Sequence, residues 1–264
     1  MIRIYSPNFD EFTQLPVSEQ IARFKAFVIT QPEGSLIVTP EHLFSRYSDE
    51  SKCADLSEDE FKEVDAELKR LAKEHNVKIV AGILHVDQAG VHNKAILYEP
   101  NGSHSHENPP FIRSHRISAE TADIDDEESS IFQIENQRYG VEICREMGQL
   151  ALSHDEFELD CHIGISNTHA PFREDNCAAA NGSIVIQADS KKAESCYAYK
   201  VQREAGGVRF EPIEHLVSFN DHSTHYTDRK PQIEELKATS PVMFFDRQNS
   251  DEEGDEYGLD HVLQ

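Results

Sequence analysis

Apolar positions along the chain repeat with two periods, and each run predicts an element. Val17 to Thr30 sets Ile21, Phe24, Ala26, Phe27 and Val28 at mostly helical spacing, with Ser18 placed to cap the start and Pro32, Glu33 and Gly34 to end it. Ser57 to His75 is the clearest helix. Phe61, Val64, Leu68, Leu71 and Ala72 form its stripe, Ser57 and Glu60 a capping-box pair, and Asn76 suits its exit. Ser35 to Thr39 and Val77 to Leu84 are apolar nearly throughout, the pattern of strands buried on both faces. Lys94 to Tyr98 reads as another strand, closed by the turn signal Pro100, Asn101, Gly102. Ile131 to Ile134 and Tyr139 to Ile143 read as two strands across an Asn136-Gln137 turn, and His162 to Ile165 as a short strand. Ala178 to Ala180 reads as the end of a helix that leads into a strand over Ser183 to Ala188. Ser103 to Pro110 and Ser118 to Ser130 are polar and read as loops. After Asn249 the chain is rich in Asp and Glu, a solvated tail. Alternating helices and strands with short connections predict the α/β class. One domain over 1–248 and an acidic tail over 249–264 are expected.

Composition narrows what such a domain could do. Lys and Arg total 25 against 49 Asp and Glu, a formal charge of -24. That surface repels phosphate backbones and anionic lipid heads, so no nucleic-acid or membrane partner is expected. No run approaches the roughly 18 apolar residues of a membrane span. The five cysteines, Cys53, Cys144, Cys161, Cys177 and Cys196, lack CxxC spacing, are odd in number and follow no leader pattern. This points to free thiols and a cytoplasmic, reducing setting. Among the 14 histidines, His104 and His106 have chelating spacing, and His115, His162 and His169 lie elsewhere. With no third ligand indicated they read as polar loop residues, and no metal is expected.

Two positions stand out for chemistry. Glu41 and Cys144 each follow a buried strand at its carboxyl end, where functional groups gather in α/β sheets. The thiolate rather than the thiol is the nucleophile, and a nearby, partly desolvated carboxylate can take the thiol proton and later activate water. The alternatives are a buried inert cysteine and a carboxylate at a helix start.

Five stretches resemble the carbon-nitrogen hydrolase (nitrilase and amidase) superfamily over about residues 17–200. "SLIVTPEHL" looks like the family's strand ending in Pro-Glu, and "LKRLAKEHNVKIVAGI" its next helix-strand unit. "HNKAILYEPNG" is similar to the following strand and turn. "YGVEICREM" resembles the nucleophile elbow, and "CAAANGSIVIQA" the later helix end and strand. The resemblance implies a four-layer α-β-β-α sandwich assembled as homo-oligomers through its outer helices. It also implies a small-molecule amide or nitrile substrate and no cofactor, with Cys144 as nucleophile and Glu41 as general base. The backbone N–H of Arg145 would support the oxyanion, and Glu120 would match a second family glutamate.

One motif departs from the family. Where it places a lysine, this chain has "FIRSHRIS". One register puts Ser114 at the lysine position and the register one residue along puts Arg113 there; Lys94, on the preceding strand, is a poor substitute. Glu146 stands where an aspartate is usual. Loss of an oxyanion donor costs about 2.7–4 kcal/mol. Three readings follow: an amidase-like enzyme with Arg113 supplying the positive charge, an enzyme with altered substrate choice, or a catalytically weak binding protein on the same scaffold.

Overall fold

Ser57 starts the longest helix, α3 (Glu58–His75), through the expected reciprocal cap. The Glu60 amide donates to the Ser57 hydroxyl and the Ser57 amide to the Glu60 carboxylate, and Asn76 ends the helix in a left-handed conformation. Val64, Leu68, Leu71 and Ala72 are its buried stripe. Helix α2 (Val17–Val28) buries Val17, Ile21, Phe24 and Val28, but begins one residue before Ser18, with Pro16 at its N-cap. Proline's fixed φ suits a helix start and its missing N–H costs nothing there, so Ser18 has no capping role. The structure, a computed structural model, describes residues 1–46, 55–88, 90–101, 112–116, 131–134, 136–144, 148, 150–151, 159–167, 177–190, 195–204, 207–219 and 222–226. All fall within one unit, Met1–Lys230. The tail and the loops over 103–110 and 118–130 lie outside the described residues.

Two sheets stack face to face. The first contains β1 (Ile2–Ser6), β2 (Leu36–Val38), β3 (Lys78–Asp87), β4 (Gly90–Tyr98), β5 (Ile112–Arg116), β12 (His215–Phe219) and β13 (His222–Tyr226), in the order β13-β12-β1-β2-β3-β4-β5. The second contains β6 (Ile131–Ile134), β7 (Gln137–Ile143), β8 (Leu159–Ser166), β9 (Ala179–Asp189), β10 (Tyr197–Glu204) and β11 (Gly207–Pro212), in the order β11-β10-β9-β8-β7-β6. Parallel pairing at the centres (β12, β1, β2 and β3; β7, β8 and β9) brings the carboxyl ends of those strands to common edges. Between the sheets Ile4, Val38, Val80, Ala95 and Leu97 pack on Val141, Ile143, Ile163, Ile165, Ile186 and Ala188. On the outer face of the first sheet, Tyr5, Ile37, Ile79, Ile83 and Tyr98 pack on α2 and α3. The strands alternate accordingly, with Ala95 and Leu97 facing inward and Ile96 and Tyr98 outward. This is the expected α/β sandwich. On the outer face of the second sheet helical backbone is described at Leu150 and Ala151, where Leu150 packs on Leu159. No described helix is long and apolar enough to cross a membrane.

Two further sequence readings need correction, and two elements stand where none was read. Ile2–Ser6 and Phe9–Gln14, the latter a short helix α1, carry structure that their mixed composition hid. Gln137 belongs to β7 rather than to the turn before it. Ala179 and Ala180 lie in β9 rather than at a helix end. Leu159 pairs with Ala179 and Cys161 with Ile184, so two steps along β8 face five along β9, and the excess bulges out at Asn181 and Gly182 (φ +83°). Arg203 holds this bulge. Its backbone N–H donates to Asn181 Oδ1 at 2.8 Å, and its guanidinium to the carbonyls of Ala179 and Cys177 at 2.9 and 2.5 Å. Those carbonyls therefore find partners without a helix.

Candidate active site

Glu41 reaches the space between the sheets because the chain leaving β2 crosses β3 at a glycine. A Cβ on Gly82 would lie 2.2 Å from the Pro40 carbonyl oxygen and 2.8 Å from Glu41 Cα, so no other residue fits without moving this backbone. The crossing is pinned along its length. Thr39 N–H donates to Val80 O, Gly82 N–H to Thr39 Oγ1, and Phe44 N–H to Gly82 O. The buried Gln20 of α2 adds a donor to Ser45 O at 2.8 Å. The Glu41 carboxylate, 6% exposed, accepts from Asn93 Nδ2 at 2.5 Å and from the Asn167 backbone N–H at 3.0 Å. His42 Nε2 lies 3.4 Å away. A carboxylate only accepts, so Asn93 must present its NH2 to it, which fixes the orientation of that amide.

Cys144 closes β7 with φ +47°, a left-handed conformation unusual for a residue with a side chain. It is buried, not disulfide-bonded, and packs in the apolar layer between the sheets. Ile143 pairs with Ile165 on β8, so Cys144 lies one strand away from Ser166 and Asn167. Asn167 N–H holds Glu41 of the first sheet at the end of β8, the strand next to the one that Cys144 follows. The Glu41 and Cys144 side chains are both buried. Cys161, Cys177 and Cys196 are more deeply buried, and burial, reinforced by Asp160 and Cys177, pushes the Cys161 thiol well up.

The lysine question is partly one of register. Ala95 pairs with position 113, Lys94 with 114 and Asn93 with 115. Directly paired residues share a face, so positions 113 and 115 fall on the face of Asn93, and position 114 on the face of Lys94. The Lys94 ammonium lies 5.5 Å from the centre of the Phe61 ring, on the α3 side of the sheet and away from Glu41. The candidates Glu120, Arg145 and Glu146, the histidines His104, His106 and His169, and the loop over 168–176 lie outside the described residues. Among the described residues no cluster of His, Cys, Asp and Glu is arranged to hold a metal ion.

Sequence reasoning missed four residues beside the site. Asn93 stood in a recognised motif but was given no role; its signal was a polar residue in phase with Ala95 and Leu97 on an otherwise apolar face. Asn167 acts through its backbone, which no side-chain pattern reveals. His162, read with the polar loop histidines, is instead buried on β8, and it forms with Glu142 a fully buried pair behind Cys144, with His162 Nε2 at 2.8 Å from Glu142 Oε2. Their signal was a charged residue inside "GVEIC" and a histidine inside an apolar strand.

The molecule is an α/β sandwich of two mixed sheets, with a buried cysteine after one central strand of the second sheet and a buried, hydrogen-bonded glutamate after a central strand of the first. The family model for carbon-nitrogen hydrolases matches residues 16–202, and the chain belongs to that family. No curated protein matches the chain. Among solved structures it is similar to a carbon-nitrogen hydrolase from Helicobacter pylori G27 (15% identity, TM-score 0.47, 70% of this chain and 71% of that one). It is also similar to XC1258 from Xanthomonas campestris, described as a CN-hydrolase superfamily protein with an arsenic adduct in its active site (11%, 0.48, 90% and 96%). A third is an amidase from Nesterenkonia sp. (11%, 0.47, 90% and 94%).

Proposed function

We propose that the protein hydrolyses a small-molecule amide through a covalent intermediate on Cys144, with Glu41 as general base. The observation that carries this reading is the Glu41 carboxylate, buried and held by Asn93 Nδ2 and Asn167 N–H, beside the strand that ends in Cys144. Glu41 takes the thiol proton as sulfur attacks the carbonyl carbon. The N–H of Arg145 and the charge of Arg113 steady the oxyanion. Glu41 returns its proton to the departing amine as the C–N bond breaks, leaving a thioester. It then draws a proton from water, whose oxygen attacks the thioester, and gives that proton back to the sulfur as the acid leaves. The assignment of Arg113 is supported by its falling on the same strand face as Asn93, while Ser114 does not.

A second reading, a binding protein with little catalysis, is favoured by one observation: Lys94 is turned toward Phe61 and supplies no charge to the site. An amide and nitrile panel on wild type, Cys144→Ala and Arg113→Ala separates the two. The enzyme reading expects turnover that disappears in Cys144→Ala at unchanged circular dichroism, and falls about 10²-fold or more in Arg113→Ala. Turnover by a folded Cys144→Ala protein, or none by wild type across the panel, defeats it.

A further inference from the structure

Directly behind the nucleophile, on the outer face of the second sheet, a glutamate and a histidine are both completely buried. Burying a carboxylate is costly unless its oxygens are hydrogen-bonded, and the bonds made by Glu142 show where its interactions are spent. Oε1 accepts from the Leu150 backbone N–H at 2.8 Å. Oε2 accepts from the Gly148 backbone N–H at 2.9 Å and sits 2.8 Å from His162 Nε2. Two of these three partners are main-chain amides of the segment that leaves Cys144. Gly148, at φ +103°, supplies a conformation that glycine adopts freely, but the first residue is conformationally unusual, since Cys144 has φ +47° with a side chain. Such backbone persists only where the surroundings hold it.

The histidine is fixed in turn. The Ala178 backbone N–H donates to His162 Nδ1 at 3.0 Å, so Nδ1 uses its lone pair and Nε2 carries the proton given to Glu142. Burial works against a charged ring, while the Cys177 and Glu142 contacts work for it. A charged ring would set an N–H against the Ala178 amide, donor against donor, and that contact holds the ring neutral. Glutamate, histidine and the neighbouring Cys177 thiol suggest a second nucleophile on composition alone. Cys177 is 0% exposed, as are both partners, so no substrate reaches it.

We infer that Glu142 and His162 are positioning residues for the proposed reaction: as a neutral-histidine and carboxylate pair they hold the Gly148 and Leu150 amides, and so fix the backbone that carries the thiol and the next N–H. The inference rests on Cys144 being the nucleophile. Its specificity lies in the acceptor count, because a glutamine at 142 must turn its NH2 toward one of the backbone N–H groups it now accepts from. At 162 a glutamine can still donate from Nε2 to Glu142, and a leucine cannot.

The test uses the full chain as Glu142→Gln, His162→Leu and His162→Gln. It reads hydrogen-deuterium exchange of the peptide covering 145–151, alkylation of Cys144 by iodoacetamide, and kcat and KM on an amide that wild type turns over. Glu142→Gln and His162→Leu are expected to speed exchange in 145–151 tenfold or more, with peptides from α3 and β3 at wild-type rates. Alkylation of Cys144 is expected to change at least threefold, and kcat to fall at least tenfold with KM within threefold. His162→Gln is expected within threefold of wild type throughout. Wild-type exchange in both damaging variants, equal damage from His162→Gln and His162→Leu, or faster exchange with unchanged kcat overturns the inference. If wild type turns over no amide, the proposed function falls, and the exchange and alkylation results alone decide the inference.

Discussion

At the residue scale the site consists of a few atoms whose orientation chemistry dictates. Asn93 must give its NH2 to the Glu41 carboxylate, so Asn93→Ala removes one charge-assisted donor. Such a bond contributes about 1.5–3 kcal/mol, and kcat/KM is expected to fall by about 10- to 100-fold while Cys144 stays in place. Steady-state kinetics with intact near-ultraviolet dichroism checks this; unchanged kcat/KM would show that Asn167 N–H holds Glu41 alone. His162 offers a spectroscopic prediction. Its ring nitrogens are expected to show the neutral tautomer protonated at Nε2 between pH 6 and 8, because Ala178 N–H occupies Nδ1. Nitrogen chemical shifts of a histidine-labelled sample report this directly, and a ring charged across that range would contradict it. Glu41 and Cys144 were legible as candidates because each follows an apolar strand. Asn167 and Glu142 were not, since their importance lies in which backbone N–H they supply or accept.

At the element scale the decisive feature is a crossing. β3 carries a glycine where the chain from β2 passes over it, and Gly82→Ala would drive a methyl into the Pro40 carbonyl and Glu41 Cα. Overpacking of this kind costs about 1–3 kcal/mol. A displacement of the order of 1 Å at Glu41 is expected to lower kcat about 10²-fold. Thermal unfolding and kinetics on one preparation check both, and an active Gly82→Ala protein would show that the crossing tolerates movement. Helix α3 was readable to its caps, because capping chemistry is local in sequence. Ala179 and Ala180 were misread for the opposite reason. Their small apolar side chains suit a helix end, but the acceptor demands of this backbone are met by Arg203, more than twenty residues later.

At the scale of the molecule, the segment after Asn249 is rich in Asp and Glu and poor in apolar residues, the composition of a solvated tail. On that composition, removing 249–264 is expected to leave the unfolding midpoint within about 2 °C. A differential scanning measurement on the truncated chain checks this, and a large fall would give the tail a part in the fold. The sequence by itself determined the class of the fold and the family, and it marked Glu41 and Cys144 as candidates. Hydrophobic period, caps and strand-end motifs are written in neighbouring residues, and the family is carried by five such stretches in order. Only the tertiary structure decided that Glu41 is held from the second sheet by Asn167, that Lys94 faces α3 while Asn93 faces the site, and that Glu142 and His162 brace the chain beyond Cys144. Each of these depends on which residues far apart in the chain stand opposite one another. Pairing register and the stacking of one sheet on the other set that, and no local pattern encodes either.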